Sequence, residues 1–276
     1  MNPVGKALWY IESHFAAELT LEEIAGVSGA SRYYLTRAFG AATGRSIMRY
    51  VRARRLTEAA RSLANGAPDI LTVALDAGYG SHEAFTRAFR DEFQVTPETI
   101  RTQRSLANIN LVEPTKMDDM PMTSLAPPRF ESAAPLLIAG LGERYDCESS
   151  AGIPALWQRF LPHLGHIAGQ IGKTAYGVCC NSDDAGNFDY ICGVEVADFS
   201  RLPRDWSRVR IAAQRYAVFR QHEHISAIRK TWGAIWNTWL PESGHEAADA
   251  PNFERYGEEF DSVTGMGGLE IWLPIK

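Results

Sequence analysis

Side chains of the types that can bond or touch base edges recur at matched spacing in two stretches of this sequence. Ser31-Arg32-Tyr33-Tyr34-Leu35-Thr36-Arg37-Ala38-Phe39 is answered by Ser81-His82-Glu83-Ala84-Phe85-Thr86-Arg87-Ala88-Phe89. Beside the apolar positions stand Arg32, Tyr33, Thr36 and Arg37 in the first copy, and His82, Glu83, Thr86 and Arg87 in the second. Arginine can bond guanine through two N–H groups, threonine can touch the thymine methyl, and glutamate can accept from cytosine N4. Between the copies runs an arginine series, Arg45, Arg49, Arg52, Arg54 and Arg55, which suits phosphate contact or an ordinary solvated helix face.

For these residues to act, each copy must be a helix held in place by another. The pairs Leu35/Phe39 and Phe85/Phe89 give each copy a buried stripe, and Ser31 and Ser81 are good N-caps. Thr20 with Glu23 has capping-box spacing and opens a short helix carrying Leu21, Ile24, Ala25 and Val27, which Gly29 ends. Asp69 opens the matching helix with Ile70, Val73 and Ala74, followed by the turn Ala77-Gly78-Tyr79-Gly80. A preceding helix over residues 4–17 and a long connecting helix from Ser46 to Ala64 complete the set, and Asn65-Gly66-Ala67-Pro68 stops the latter. Short helix, glycine turn and second helix, twice over, is the layout of two helix-turn-helix units. Their second helices would enter adjacent major grooves of double-stranded DNA about 34 Å apart, which removes the geometric need for a dimer without excluding one. A helical bundle that binds protein is the plainer alternative.

The 276 residues carry a net charge of −5. It is unevenly spread: 13 Lys/Arg against 11 Asp/Glu through Asn108, then 15 against 22. Two halves with different partners are implied. No apolar run is long enough to span a membrane, and Met1 to Leu21 lacks a signal-type apolar block, so a cytoplasmic protein without membrane contact is expected. Cys147, Cys179, Cys180 and Cys192 have no chelating spacing and read as free thiols. His222-Glu223-His224 has no further ligand at metal spacing. No metal, cofactor or catalytic residue is therefore assigned.

Residues 108–127 are polar and proline-rich and read as a linker between a domain at 1–107 and another at 128–276. In the second domain, strand patterns cover Leu136–Gly140, Ala175–Cys179, Phe188–Val196, Tyr216–Phe219 and Leu269–Leu273. Helical patterns begin at Pro154 and run from Ile225 to Trp239, and a turn at Asp183–Asn187 joins two strands. The expected fold class is multidomain: an all-α double helix-turn-helix domain followed by an α+β domain of two βαββ-type repeats.

The first half resembles the AraC/XylS family of transcription regulators from about Val4 to Arg104. The likeness rests on Leu21-Glu22-Glu23-Ile24-Ala25, Leu35-Thr36-Arg37-Ala38-Phe39, Ala77-Gly78-Tyr79-Gly80-Ser81 and Phe85-Thr86-Arg87-Ala88-Phe89, then Phe93-Gln94-Val95-Thr96-Pro97. Ile100 departs from the family's commoner tyrosine, and Glu83 is unfavourable near phosphates, so the second helix is expected to position more than it reads. The second half resembles the GyrI-like small-molecule-binding domain through Phe188-Asp189-Tyr190, Gly193-Val194-Glu195-Val196, Arg215-Tyr216-Ala217-Val218-Phe219, Trp239-Leu240-Pro241-Glu242-Ser243-Gly244 and Pro251-Asn252-Phe253-Glu254-Arg255-Tyr256. Together the halves resemble the Rob-type arrangement, which implies a DNA-binding regulator with a small-molecule effector and RNA polymerase as a candidate partner.

If Asn252–Tyr256 is a strand, Glu254 and Tyr256 project from one face and Phe253 and Arg255 from the other. A carboxylate among aromatic rings suits an organic cation, each well-placed ring adding roughly 0.5–2 kcal/mol. Trp157, Tyr176, Tyr190, Trp232 and Trp236 are the other aromatic candidates; core packing is the alternative for each. The rival function is a hydrolase of electrophilic small molecules with Glu254 as general base, against which no nucleophile–base pair is legible.

Overall fold

The computed structural model describes residues 2–115 and 125–276. By contact the described chain divides into two units. One comprises Pro3–Arg32 and residues 46–115; the other comprises Asn2, Tyr33–Arg45 and residues 125–276. No helix among the described residues is long and apolar enough to cross a membrane.

The helices in chain order are α1 (Pro3–His14), α2 (Leu21–Ser28), α3 (Arg32–Thr43), α4 (Ile47–Ala64), α5 (Ile70–Asp76), α6 (His82–Phe93) and α7 (Pro97–Gln103). Of these, α3 from Tyr33 onward belongs to the second unit. Local chemistry sets the ends. Thr20 and Glu23 exchange capping bonds, the Asp69 carboxylate accepts from the Thr72 N–H at 2.8 Å, and the Ser81 hydroxyl accepts from the Ala84 N–H at 3.1 Å. Between α5 and α6 the backbone at Gly78 has φ +83, a left-handed conformation that side-chain-bearing residues rarely adopt.

The core of the first unit gathers Leu56, Leu63, Ile70, Val73, Phe85, Phe89, Phe93 and Ile100. Its spine is an aromatic series along α6. Tyr79, Phe85, Phe89 and Phe93 lie 5.5, 5.5 and 4.8 Å apart from ring to ring. Truncating Phe89 to alanine should cost about 3–5 kcal/mol in urea denaturation, since it combines lost transfer energy with a cavity inside the series. A cost below about 1 kcal/mol would mean that the rings close up without it.

Two members of the arginine series are structural rather than phosphate-facing or solvated. Buried Arg54 bonds Glu12 at 3.0 Å and the Val112 carbonyl at 2.8 Å, and lies 5.2 Å from the Phe15 ring centre. Arg55 donates to the carbonyls of Phe15 and Ala17. Arg49 and Arg52 are exposed. The expected linker also starts late. Ile109 and Leu111 pack on the helical core, the Val112 N–H donates to Thr57 Oγ1, and the Thr115 N–H donates to Tyr50 Oη. Residues 116–124 of that linker lie outside the described residues.

The second unit is built on one antiparallel sheet. Its elements are β1 (Arg129–Ala133), β2 (Leu136–Tyr145), α8 (Ile153–Phe160), β3 (Gln170–Cys180), β4 (Phe188–Val196), β5 (Ser207–Ile211), β6 (Gln214–Gln221), α9 (Ile228–Ala234), β7 (Asn252–Tyr256) and β8 (Leu269–Ile275). A π-helical stretch, Ile235–Trp239, continues α9. The strand order is β1-β6-β8-β7-β3-β4-β2-β5. The two expected rounds of strand, helix, strand, strand are present, each with an additional leading strand. Those leading strands are exchanged: β1 pairs with β6 of the second round, and β5 pairs with β2 of the first. At the centre β3 and β7 run antiparallel with Gly177 opposite Glu254. The register also pairs Cys179 with Asn252 and Ala175 with Tyr256.

Candidate functional site

Alternation along β7 sends Asn252, Glu254 and Tyr256 to one face of the sheet. There Glu254, buried, accepts three hydrogen bonds. Tyr190 Oη donates to Oε2 at 2.6 Å, Tyr256 Oη donates to the same oxygen at 3.0 Å, and Trp232 Nε1 donates to Oε1 at 3.0 Å. Trp157 Nε1 in turn donates to Tyr190 Oη at 3.1 Å. Because that oxygen accepts from Trp157, its own proton points at Glu254, and the direction of the relay is fixed. Burial pushes the Glu254 carboxyl above its usual range, against the three donors and the positive charge of Arg37. Burial, and then the Glu254 charge, pushes Tyr190 and Tyr256 well above the usual phenol range, so both remain donors.

The aromatic surround comes from three elements. Trp157 on α8 meets the Tyr256 ring edge-on at 4.8 Å, and Trp232 on α9 stacks at 6.3 Å on Trp236 in the π-helical stretch. The i, i+4 spacing that brings the two tryptophans together is legible in the sequence; the widened π turn is not.

Tyr176 is a correction. It pairs with Arg255 across β3 and β7 and packs with Phe253, Val178 and Trp272 on the opposite face from Glu254. Tyr176 and Arg255 occupy facing positions, so a β3 register would have excluded the residue. Gly177, by contrast, was missed. A Cβ there would lie 2.1 Å from Tyr190 Oη and 2.7 Å from Glu254 Oε2, so the tyrosine–carboxylate bond occupies the space glycine leaves.

The base-reading candidates are placed unequally. On α6 His82, Glu83 and Arg87 are exposed. Glu83 is turned back onto the helix start, where its own N–H and the Ser81 hydroxyl hold its carboxyl below the usual range. Thr86 does not face outward: its hydroxyl oxygen is buried with no hydrogen-bond partner among the described residues. The same holds for Thr36, which is buried on α3. Position i−3 from Phe39 or Phe89 falls within the apolar stripe, so both threonines are drawn inward. Arg32 is exposed and pairs with Glu22 at 3.3 Å, while Tyr33 and Arg37 are half-buried in the second unit.

Helices in helix-turn-helix order and a separate sheet with a buried carboxylate among aromatic rings define a DNA-binding regulator with a small-molecule domain. Comparison with known proteins agrees. The family described as GyrI-like small molecule binding domain matches residues 126–276, and a helix-turn-helix domain family matches residues 24–103. The Right origin-binding protein of Escherichia coli K12 is 31% identical over 282 residues, spanning 98% of this chain and 96% of that protein. The transcriptional regulator Rob of Salmonella typhimurium LT2 is 24% identical over 281 residues with the same coverage. The regulatory protein SoxS of the same strain is 38% identical over 92 residues, 33% of this chain and 86% of that protein. The chain belongs to the AraC-type transcription regulators that carry a C-terminal GyrI-like domain.

Proposed function

We propose that the effector of this regulator is a hydrophobic organic cation. Glu254 supplies its counter-charge, and Trp157, Tyr190, Trp232, Trp236 and Tyr256 supply aromatic surface. What supports this is a buried carboxylate held by three donors and ringed by indoles and phenols. Burying a charge costs several kcal/mol, and an entering cation offsets that cost directly while its own charge is satisfied by the ring faces. The effector acts on transcription by favouring one state of the protein over another. On the DNA side, Arg32, Tyr33 and Arg37 are the proposed base readers, and His82 and Arg87 position the second helix. RNA polymerase is the proposed protein partner.

The domain is proposed to sense rather than catalyse. Burial pushes the thiol of Cys179, beside the carboxylate face, up to about 12, which leaves it protonated and a poor nucleophile at neutral pH. Glu254 already accepts from three donors and is poorly placed to take a proton from a substrate.

The test compares a cation with a neutral molecule of similar shape. In Glu254→Gln, tryptophan quenching should show affinity for tetraphenylphosphonium falling at least about tenfold, about 1.4 kcal/mol. Affinity for triphenylphosphine oxide should change less than about threefold. Equal losses for the two would remove the electrostatic basis of the reading.

A further inference from the structure

The Tyr33–Arg45 segment occupies the carboxylate side of the second unit's sheet. The Arg37 guanidinium carbon lies 5.0 Å from the Phe188 ring centre and 5.9 Å from that of Trp236. Its Nη2 reaches Asn252 Oδ1 at 3.5 Å, one same-face step along β7 from Glu254. The rest of the segment is seated to match. Tyr34 Oη donates to the Trp236 carbonyl at 3.1 Å, and Asn237 Nδ2 donates to the Ala38 carbonyl at 3.1 Å. The Tyr33 ring meets Trp236 edge-on at 6.2 Å. Gly40 lies against Cys147, whose sulfur would be 2.5 Å from a Cβ added there.

A delocalised cation over aromatic faces, within electrostatic reach of a buried carboxylate, is what the proposed effector would itself present. We infer that Arg37 is a built-in occupant of the effector site, and that the docked state of α3 and the bound state of a cationic effector exclude each other. This rests on the cation reading of the Glu254 site. Docking also withdraws Arg37 from DNA, because one guanidinium cannot bond a guanine edge and lie over Trp236 at once.

The docked state is suited to displacement. Thr36 Oγ1 and Asn237 Oδ1 are buried without a hydrogen-bond partner among the described residues, and buried polar atoms left unpaired weaken the packing around them. An effector that ejects the segment uncovers Asn237, whose amide bonds the Ala38 carbonyl of that segment. It also releases the helix carrying the proposed base-reading arginine.

The experiment uses the full chain and tetraphenylphosphonium, read by tryptophan quenching, in wild type, Arg37→Ala, Glu254→Gln and the double variant. Arg37→Ala should bind about tenfold more tightly than wild type, because the competing state no longer lowers the competent fraction. The gain should remain sensitive to Glu254→Gln. Equal affinity in wild type and Arg37→Ala, with both weakened by Glu254→Gln, overturns the inference and leaves the cation site standing. Indifference to Glu254→Gln in both backgrounds fails the site itself, and the inference with it. A second measurement holds the helix down: in Gly40→Cys, diamide should link position 40 to Cys147. The linked chain should lose tetraphenylphosphonium binding until dithiothreitol restores it. Undiminished binding in the linked chain, or no linkage at all, also overturns the inference.

Discussion

Gly177→Ala is expected to abolish cation binding and to destabilise the sheet unit by about 3–5 kcal/mol, although it adds a single methyl group. The central pair of the sheet sets Gly177 opposite Glu254, and the bond between Tyr190 and Glu254 passes through the volume the methyl would take. Neither neighbour can give way cheaply. Tyr190 is fully buried and held from behind by Trp157, and Glu254 is held by Trp232 and Tyr256. Pushing Tyr190 aside leaves a buried carboxylate short of a donor, which costs more than the overpacking itself. Urea denaturation followed by fluorescence measures the loss. Adding Tyr190→Phe removes the oxygen nearest the new methyl, so the double variant should regain part of the stability but none of the affinity. A single variant as stable as wild type would mean that the Tyr190–Glu254 bond is not what fills the space beside Gly177.

Where a side chain's role follows from local period, the sequence was sufficient. Phe188–Val196 is a strand from end to end, the caps at Thr20, Asp69 and Ser81 are made as their spacing implies, and the alternation around Glu254 holds. Where a role depends on pairing between distant segments, it was not. The edge strands at Arg129–Ala133 and Ser207–Ile211 carry arginines at alternate or outer positions and have little apolar signal of their own. They exist because each finds a partner in the other half of the sheet. Tyr176 was placed with the site because its type fits, and the pairing of β3 with β7 sends it to the other face. Thr36 and Thr86 stand beside the apolar stripe, where a side chain can point outward, yet the hydroxyl oxygens of both are buried without a hydrogen-bond partner among the described residues. Arg54 carries a charge that composition assigns to solvent or DNA, but only the fold reveals Glu12 beside it.

Arg37→Ala and Arg87→Ala should damage DNA binding in different ways. In selection from a pool of randomised duplexes, the wild-type chain should enrich a defined sequence. Arg37→Ala should relax that sequence at the position its guanidinium reads, a loss of about 1–3 kcal/mol or roughly 5- to 150-fold in discrimination. Its sequence-independent binding should persist, still falling as salt rises, because phosphate contacts from other residues remain. If the proposed docking of α3 withdraws Arg37 from DNA, that binding should be no weaker than the wild type's, because the substitution removes the guanidinium that lies over Trp236. Arg87→Ala should keep the enriched sequence and bind every duplex more weakly, with the salt slope reduced by about one. The asymmetry is expected from the second helix, where Glu83 is turned back to its own N-terminus, the Thr86 hydroxyl is buried, and the proposed positioning residues His82 and Arg87 are exposed. If Arg87→Ala is the variant that relaxes sequence while Arg37→Ala only weakens binding, the roles of the two repeated helices are reversed.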